Sequence, residues 1–510
     1  MSAGLRPAAS PRETLRALGI DDLVLEIHDP AFPAAPGEDV GRGAPASRGA
    51  LDFLEFARDL GFTGIQLGPQ GETSPGNPSP YDGSVLARST LSIDLAEFAS
   101  GEAPFGRLLG EEEWQAVVRA RPEGSERRVA HRAVHAAHRR ALDLAFARWG
   151  RGDAHEFGQL VARWQHDRFR RHAAALGLAL YGDFQVGVPP CEAEACPEAF
   201  LPDHRLGAPP SRTNPEGQAW NYPVLDPRRP EAMAFFAARV ARTVADYDAL
   251  RIDHPHGLVD PWVYRPGAGD PLEAVSAGAR ILGTPEDPGL APFAIARPEQ
   301  IDRAVPRHAD LRILDLDDAQ VERHAVWFDV LARTGIPLVC EVLSTQPYPL
   351  ARVLEHHGLG RCRVVPKADP RNEADVYRSE NAAPADWVQI GNHDTPTIWG
   401  LLDRWRADGS FEPRAAYLAR RLGRSPARTA AELAQATFAD LFLGPARHVL
   451  VSFNDLLGYP EPYNVPGTFD DRNWSLRVGP DYRREHAGRV GRGEALDVAG
   501  ALATALYRST

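Results

Sequence analysis

Short apolar runs recur along the chain, most of them closing on Asp, Glu, Gly or Pro and followed by a stretch of helical pattern. Eight stand out: Leu23–Ile27, Gly64–Leu67, Leu178–Gly182, Leu250–Asp253, Leu338–Glu341, Arg363–Val365, Val388–Gly391 and His448–Ser452. Runs this apolar suit strands buried on both faces, as in a parallel sheet covered by helices. Eight such units predict an α/β fold, a (β/α)8 TIM barrel. A bare barrel needs about 250 residues, and the chain has 510. The surplus predicts inserted subdomains where the strand spacing widens, at about 100–177, 184–226 and 261–306. The first insertion is rich in Ala, Arg, Glu and His and reads as helical. The second reads as loop, with Val-Pro-Pro-Cys and Gly-Ala-Pro-Pro turns, and the third is rich in Gly and Pro. No repeat and no linker rich in Pro, Gly and Ser divides the chain, so a single catalytic domain over 1–510 is expected.

Composition narrows the function. With a net charge of −12 and no large basic block, nucleic acid is not an expected partner. No run approaches the roughly 18 apolar residues of a membrane span. Met1 to Thr14 lacks a basic start followed by an apolar core, so no secretory leader is expected. Of the four cysteines, Cys191 and Cys196 are the only close pair, and their spacing is not that of a zinc site. Reduced thiols and a cytoplasmic protein are the expectation, with no metal and no cofactor.

In such barrels chemistry sits at the C-terminal ends of the strands. Arg251 and Asp253 stand two apart on one predicted strand and face the same way. A guanidinium beside Asp253 predicts a lowered pKa and an ionised carboxylate, suited to a nucleophile, although an Arg–Asp pair closing a strand has the same pattern. Glu341 ends Ile-Pro-Leu-Val-Cys. An apolar strand delivers it to a partly desolvated place, which suits a general acid, or leaves it as a residue capping a loop. Gly-Asn-His-Asp-Thr at 391–395 offers His393 and Asp394 at another strand end, and Asp183 ends a third. Converging carboxylates with His and Arg, but no Cys, fit glycoside chemistry. A divalent metal fits less well, because Arg251 would oppose it.

These residues resemble the amylomaltase, or 4-α-glucanotransferase, family, relatives of the α-amylases. Arg-Ile-Asp-His at 251–254 and His-Asp-Thr at 393–395 carry the resemblance. Gln66-Leu-Gly-Pro-Gln-Gly, Ser79-Pro-Tyr-Asp, Gly182-Asp183, Gly207-Ala-Pro-Pro, Gly217-Gln-Ala-Trp-Asn, Asn454-Asp-Leu-Leu-Gly, Asn464-Val-Pro-Gly-Thr and Asn473-Trp474 extend it in order. The resemblance implies a retaining transferase of α-1,4-glucan segments, acting on maltooligosaccharides or α-glucan. It makes Asp253 the nucleophile, Glu341 the acid/base and Asp394 the stabiliser of the transition state. It places Arg251, His254, His393 and Asp183 around the reacting glucose, and Tyr81, Gln218, Trp220 and Asn464 along the glucan. An α-glucan hydrolase with the same acids, or a lapsed enzyme that only binds glycans, are the other readings.

The surroundings of the acids depart from the family. Asp-His-Phe-Arg-Gly is here Asp253-His-Pro255-His256-Gly, Glu-Asp-Leu-Gly is Glu341-Val342-Leu343-Ser344, and Thr395-Pro396 follows His-Asp. The loop Ser211-Arg-Thr-Asn-Pro-Glu216 has no aromatic residue where the family carries them beside the acceptor groove. Short maltooligosaccharides, and few large rings, are therefore expected products.

Overall fold

The computed structural model describes residues 10–101, 104–211, 214–267, 269–343, 345–468 and 470–509. Arg212 and Thr213 of the polar loop, and Ser344 after the acid, lie outside the described residues.

All eight apolar runs form strands. They are β1 (Asp22–Glu26), β2 (Gly64–Gln66), β3 (Ala179–Phe184), β4 (Ala249–Ile252), β5 (Leu338–Cys340), β6 (Cys362–Val364), β7 (Trp387–Gln389) and β8 (His448–Ser452). They make one eight-stranded sheet in the order β5-β4-β3-β2-β1-β8-β7-β6. That is the cyclic order of a (β/α)8 barrel, and the registered pairs are parallel. Leu23, Val24, Leu25 and Ile65 are fully buried, which explains runs without polar alternation.

The chain forms two compact units. One comprises Met1–Gly68, Leu91–Leu180 and Arg363–Thr510, the other Pro69–Thr90 and Tyr181–Cys362. In the first unit, the 100–177 insertion is helical as its composition predicts, with helices Glu111–Arg119, His131–Trp149 and Ala154–Ala175. Trp114, Leu142, Phe157 and Val161 bury an apolar cluster there with Phe98 and Leu109. In the second unit, the 184–226 segment is not the loop expected. Phe200–Ala208 and Gln218–Leu225 pair antiparallel, and Phe200–Ala208 also pairs with Trp262–Tyr264 from the next insertion. With Ala279–Arg280 they make a four-stranded sheet. The Val-Pro-Pro-Cys segment opens the short helix Pro190–Ala195, and Gly-Ala-Pro-Pro closes the strand Phe200–Ala208. Leu201, Leu206, Val224, Val263 and Ile281 supply a separate core beneath them.

Candidate active site

Strand register builds the site in the second unit. Asp183 of β3 stands beside Arg251 of β4, and Arg251 beside Val339 of β5. Two residues further, on the same face, come Asp253 and Glu341. Their backbone amides still donate to the neighbouring strand, Asp253 to Phe184 O (3.0 Å) and Glu341 to Ile252 O (3.1 Å), so both side chains leave a fixed backbone.

Arg251 is the hub. Its Nη1 donates to Asp183 Oδ2 at 2.5 Å and its Nη2 forms an ion pair with Glu341. The Asp253 Oδ1 is further away, at 3.5 Å. The Tyr81 hydroxyl donates to Asp183 Oδ2 (2.7 Å) and accepts from Arg251 Nη1 (3.2 Å). Burial, ahead of the surrounding charges, holds the Tyr81 phenol neutral.

The expected direction for Asp253 is overturned. Its pKa is raised well above the usual carboxylate value. Burial is the largest cause, and the nearby Glu341 and Asp183 charges and a hydrogen bond with Glu341 add to it, against the lowering by Arg251. The guanidinium spends its close contacts on Asp183 and Glu341, which the sequence could not foresee. Asp253 keeps 23% of its side-chain surface exposed, and the like charge of Glu341 acts in the same direction as burial. A hydrogen bond joins the two carboxyls, and both face the same guanidinium nitrogen of Arg251.

His254 follows Asp253 with φ 39°, a left-handed conformation that is strained for any residue with a Cβ. Its ring packs edge-on against Trp220 (centroids 4.6 Å) and stacks on His256 (4.3 Å). Burial, then the neighbouring His256, keeps it neutral at ordinary pH. Burial also pushes His256 down to about 4, and its Nε2 lies 2.9 Å from Thr345 O. Trp220 Nε1 donates to Gln218 Oε1 at 2.7 Å. The structure thus brings Tyr81, Asp183, Arg251, Asp253 and Glu341 into one hydrogen-bonded cluster, and Gln218, Trp220 and His254 into a second. Tyr222, missed in the sequence, donates to Asp82 Oδ1 (2.6 Å) and steadies the segment carrying Tyr81.

In the first unit, His393 and Asp394 follow β7. Asn464 N donates to His393 O (2.8 Å), and Asn464 Nδ2 donates to Asp394 Oδ1 (2.7 Å). Asp394 is 32% exposed and its Oδ1 lies 3.7 Å from His393 Nε2. Asp455, from the Asn-Asp-Leu-Leu-Gly segment, accepts from Ile398 N (2.7 Å) and anchors the helix Ile398–Ala407 just beyond. Burial raises its carboxyl to about 7.

The sequence reading also missed Glu26 and His28. Glu26 ends β1, is fully buried, and places Oε1 2.6 Å from His393 Nδ1. A charged residue closing an otherwise apolar strand was the signal available. Among the described residues two groups have ligating atoms within 4.8 Å of one another: Glu26, His28 and His393, and Asp329, His356 and His357. In each, one member stands far from the other two in sequence, so spacing rules could not find them. In the first, the 2.6 Å Glu26–His393 contact is a direct hydrogen bond, shorter than the roughly 3.3 Å ligand separation a tetrahedral zinc imposes.

The profile of the glycoside hydrolase 77 family, described as 4-alpha-glucanotransferase, matches residues 149–481. The chloroplastic/amyloplastic 4-alpha-glucanotransferase of Oryza sativa subsp. japonica is 33% identical over 114 residues, 20% of this chain and 19% of that protein. The Aquifex aeolicus 4-alpha-glucanotransferase is 30% identical over 123 residues, 22% of this chain and 25% of that one. The chain therefore matches only a fifth to a quarter of these relatives' length. The Streptococcus agalactiae amylomaltase, solved with acarbose, superposes with a TM-score of 0.71 at 17% identity, over 96% of this chain and 99% of that one. The Corynebacterium glutamicum amylomaltase gives 0.69 at 16%, over 96% and 76%. These likenesses establish the fold. With the profile covering more than half the sequence, the chain belongs to the glycoside hydrolase 77, or 4-alpha-glucanotransferase, family.

Proposed function

We propose that this protein is a 4-α-glucanotransferase that moves α-1,4-glucan segments between maltooligosaccharides by retaining double displacement. The observation that carries this reading is the hydrogen-bonded Asp253–Glu341 pair under Arg251 at the ends of β4 and β5. Two interacting carboxyls with one proton between them titrate as a unit. Glycosylation needs that proton on Glu341, and it has only to cross the existing hydrogen bond. Glu341 then protonates the glycosidic oxygen while the Asp253 carboxylate attacks the anomeric carbon. In the second half-reaction Glu341 takes the proton of the acceptor hydroxyl, which displaces Asp253 and restores the α-configuration.

Asp394 is assigned by the family resemblance as the carboxylate that stabilises the oxocarbenium-like transition state. The family resemblance assigns Arg251, Asp183, His254 and His393 to the reacting glucose; in the second unit Arg251 and Asp183 form one hydrogen-bonded group with Tyr81, which the resemblance assigns to the glucan chain. Gln218, Trp220 and Asn464 contact the chain. The acarbose complex of the Streptococcus agalactiae amylomaltase supports an α-glucan as substrate. No described helix is long and apolar enough to cross a membrane. None of the four cysteines, all among the described residues, forms a disulfide, which fits a cytoplasmic setting. Incubation with maltotriose tests the reading. Glucose plus longer chains at a constant number of reducing ends is the expected result. Rising reducing ends would make it a hydrolase, and unchanged maltotriose would refute the proposed activity.

A further inference from the structure

The reading above gives His393 to the reacting glucose, but an imidazole has two interchangeable tautomers and a ring that can flip. Something must fix which nitrogen faces the sugar. In the first unit Glu26 is placed to do so. It sits at the end of β1, in register with Gln66 of β2 and Ser452 of β8. Its Oε1 is 2.6 Å from His393 Nδ1, and both side chains are 1% exposed. An ionised carboxylate only accepts hydrogen bonds, so the Nδ1 proton is fixed and Nε2 is turned toward Asp394, at 3.7 Å. Gln66 Nε2 approaches the same Oε1 at 3.5 Å. The ring is further walled by His28, edge-on at 4.9 Å, and Trp474 at 5.6 Å. His28 in turn fills the space beside Gly68, where a Cβ would lie 2.0 Å from its Nδ1.

We propose that Glu26 is a positioning residue, which holds His393 in the Nδ1–H form so that Nε2 serves the reacting sugar beside Asp394. This inference rests on the proposed role of His393. Glu26 touches no substrate and acts through the imidazole alone, as a carboxylate partner orients a catalytic histidine.

The test is a double-mutant cycle of Glu26→Gln and His393→Ala, read by maltotriose disproportionation. Glu26→Gln keeps the shape but offers Nδ1 an amide of either polarity. It should lower kcat on the order of 10- to 100-fold with KM nearly unchanged. In the His393→Ala background it should cost nothing further. Wild-type kcat in Glu26→Gln, or a loss that adds to that of His393→Ala, would overturn the inference while leaving the transferase reading intact. Full activity of His393→Ala would overturn it through the role of His393. Maltotriose left unchanged by the wild-type enzyme would instead remove the transferase reading itself. A readout on the wild-type protein itself is the ¹⁵N spectrum of histidine-labelled enzyme, with His393 assigned by its absence from the His393→Ala spectrum. A protonated Nδ1 is expected, and a bare Nδ1 would refute the proposal.

Discussion

The two units bury carboxylates at strand ends by opposite means. In the second unit three acids, Asp183, Asp253 and Glu341, gather on a single guanidinium, so they compete for it and one is pressed to keep a proton. At the strand ends of the first unit the close contacts are separate: Glu26 has His393 at 2.6 Å, and Asp394 has Asn464 at 2.7 Å. Competition leaves a movable proton, which acid/base chemistry needs. Private pairing leaves fixed orientation, which binding needs. The contrast teaches that the number of cations, more than the number of acids, decides which kind of site forms.

The comparison breaks first at Asp253. Replacing it with Asn should cost at least about 10³-fold in kcat on maltotriose, because the covalent intermediate cannot form. Glu341→Gln should lose on the order of 10²–10⁴-fold on maltotriose but much less in the glycosylation step of an α-glucosyl fluoride, whose leaving group needs little protonation. Equal losses on both donors would move the acid/base role elsewhere. On the private side, Gly68→Ala should drive His28 out of place and destabilise the fold by about 1–3 kcal/mol, read from urea unfolding. An unchanged midpoint would show that the His28 wall is slack.

The smallest effect concerns pH and sharpens the contrast most. Asp253 has a raised pKa in the folded state. Its contribution to stability is full below the unfolded value of about 4 and is lost as pH rises through the raised folded value. Asp253→Asn removes that loss, so the inactive variant should melt on the order of 1–3 °C above wild type at pH 7 and no higher than it at pH 3. A lower melting temperature at pH 7 would mean that Arg251 depends on Asp253 more than the geometry indicates.

Much of this was legible from sequence. The barrel strands announced themselves because strands buried on both faces have no polar alternation, and their C-terminal residues named Asp253, Glu341, Asp394 and Asp183. What failed depended on sharing in space. That Arg251 would prefer Asp183 and Glu341 to the Asp253 on its own strand follows from register between strands, and no spacing within one strand contains it. Glu26 was hidden because its partner is 367 residues away. The hairpin Phe200–Ala208 with Gln218–Leu225 was taken for loop because its prolines and glycines mark turns strongly, while its exposed edge residues blur the alternation.

The positive φ of His254 carries a consequence for evolution in the laboratory. The backbone there favours glycine or asparagine, whereas the ring is held by Trp220 and His256. A saturation library at position 254 screened for heat resistance should enrich Gly and Asn. The same library screened for growth that depends on glucan transfer should return His. Two selections applied to one codon would thus pull apart what the molecule demands of its backbone and what it demands of its imidazole.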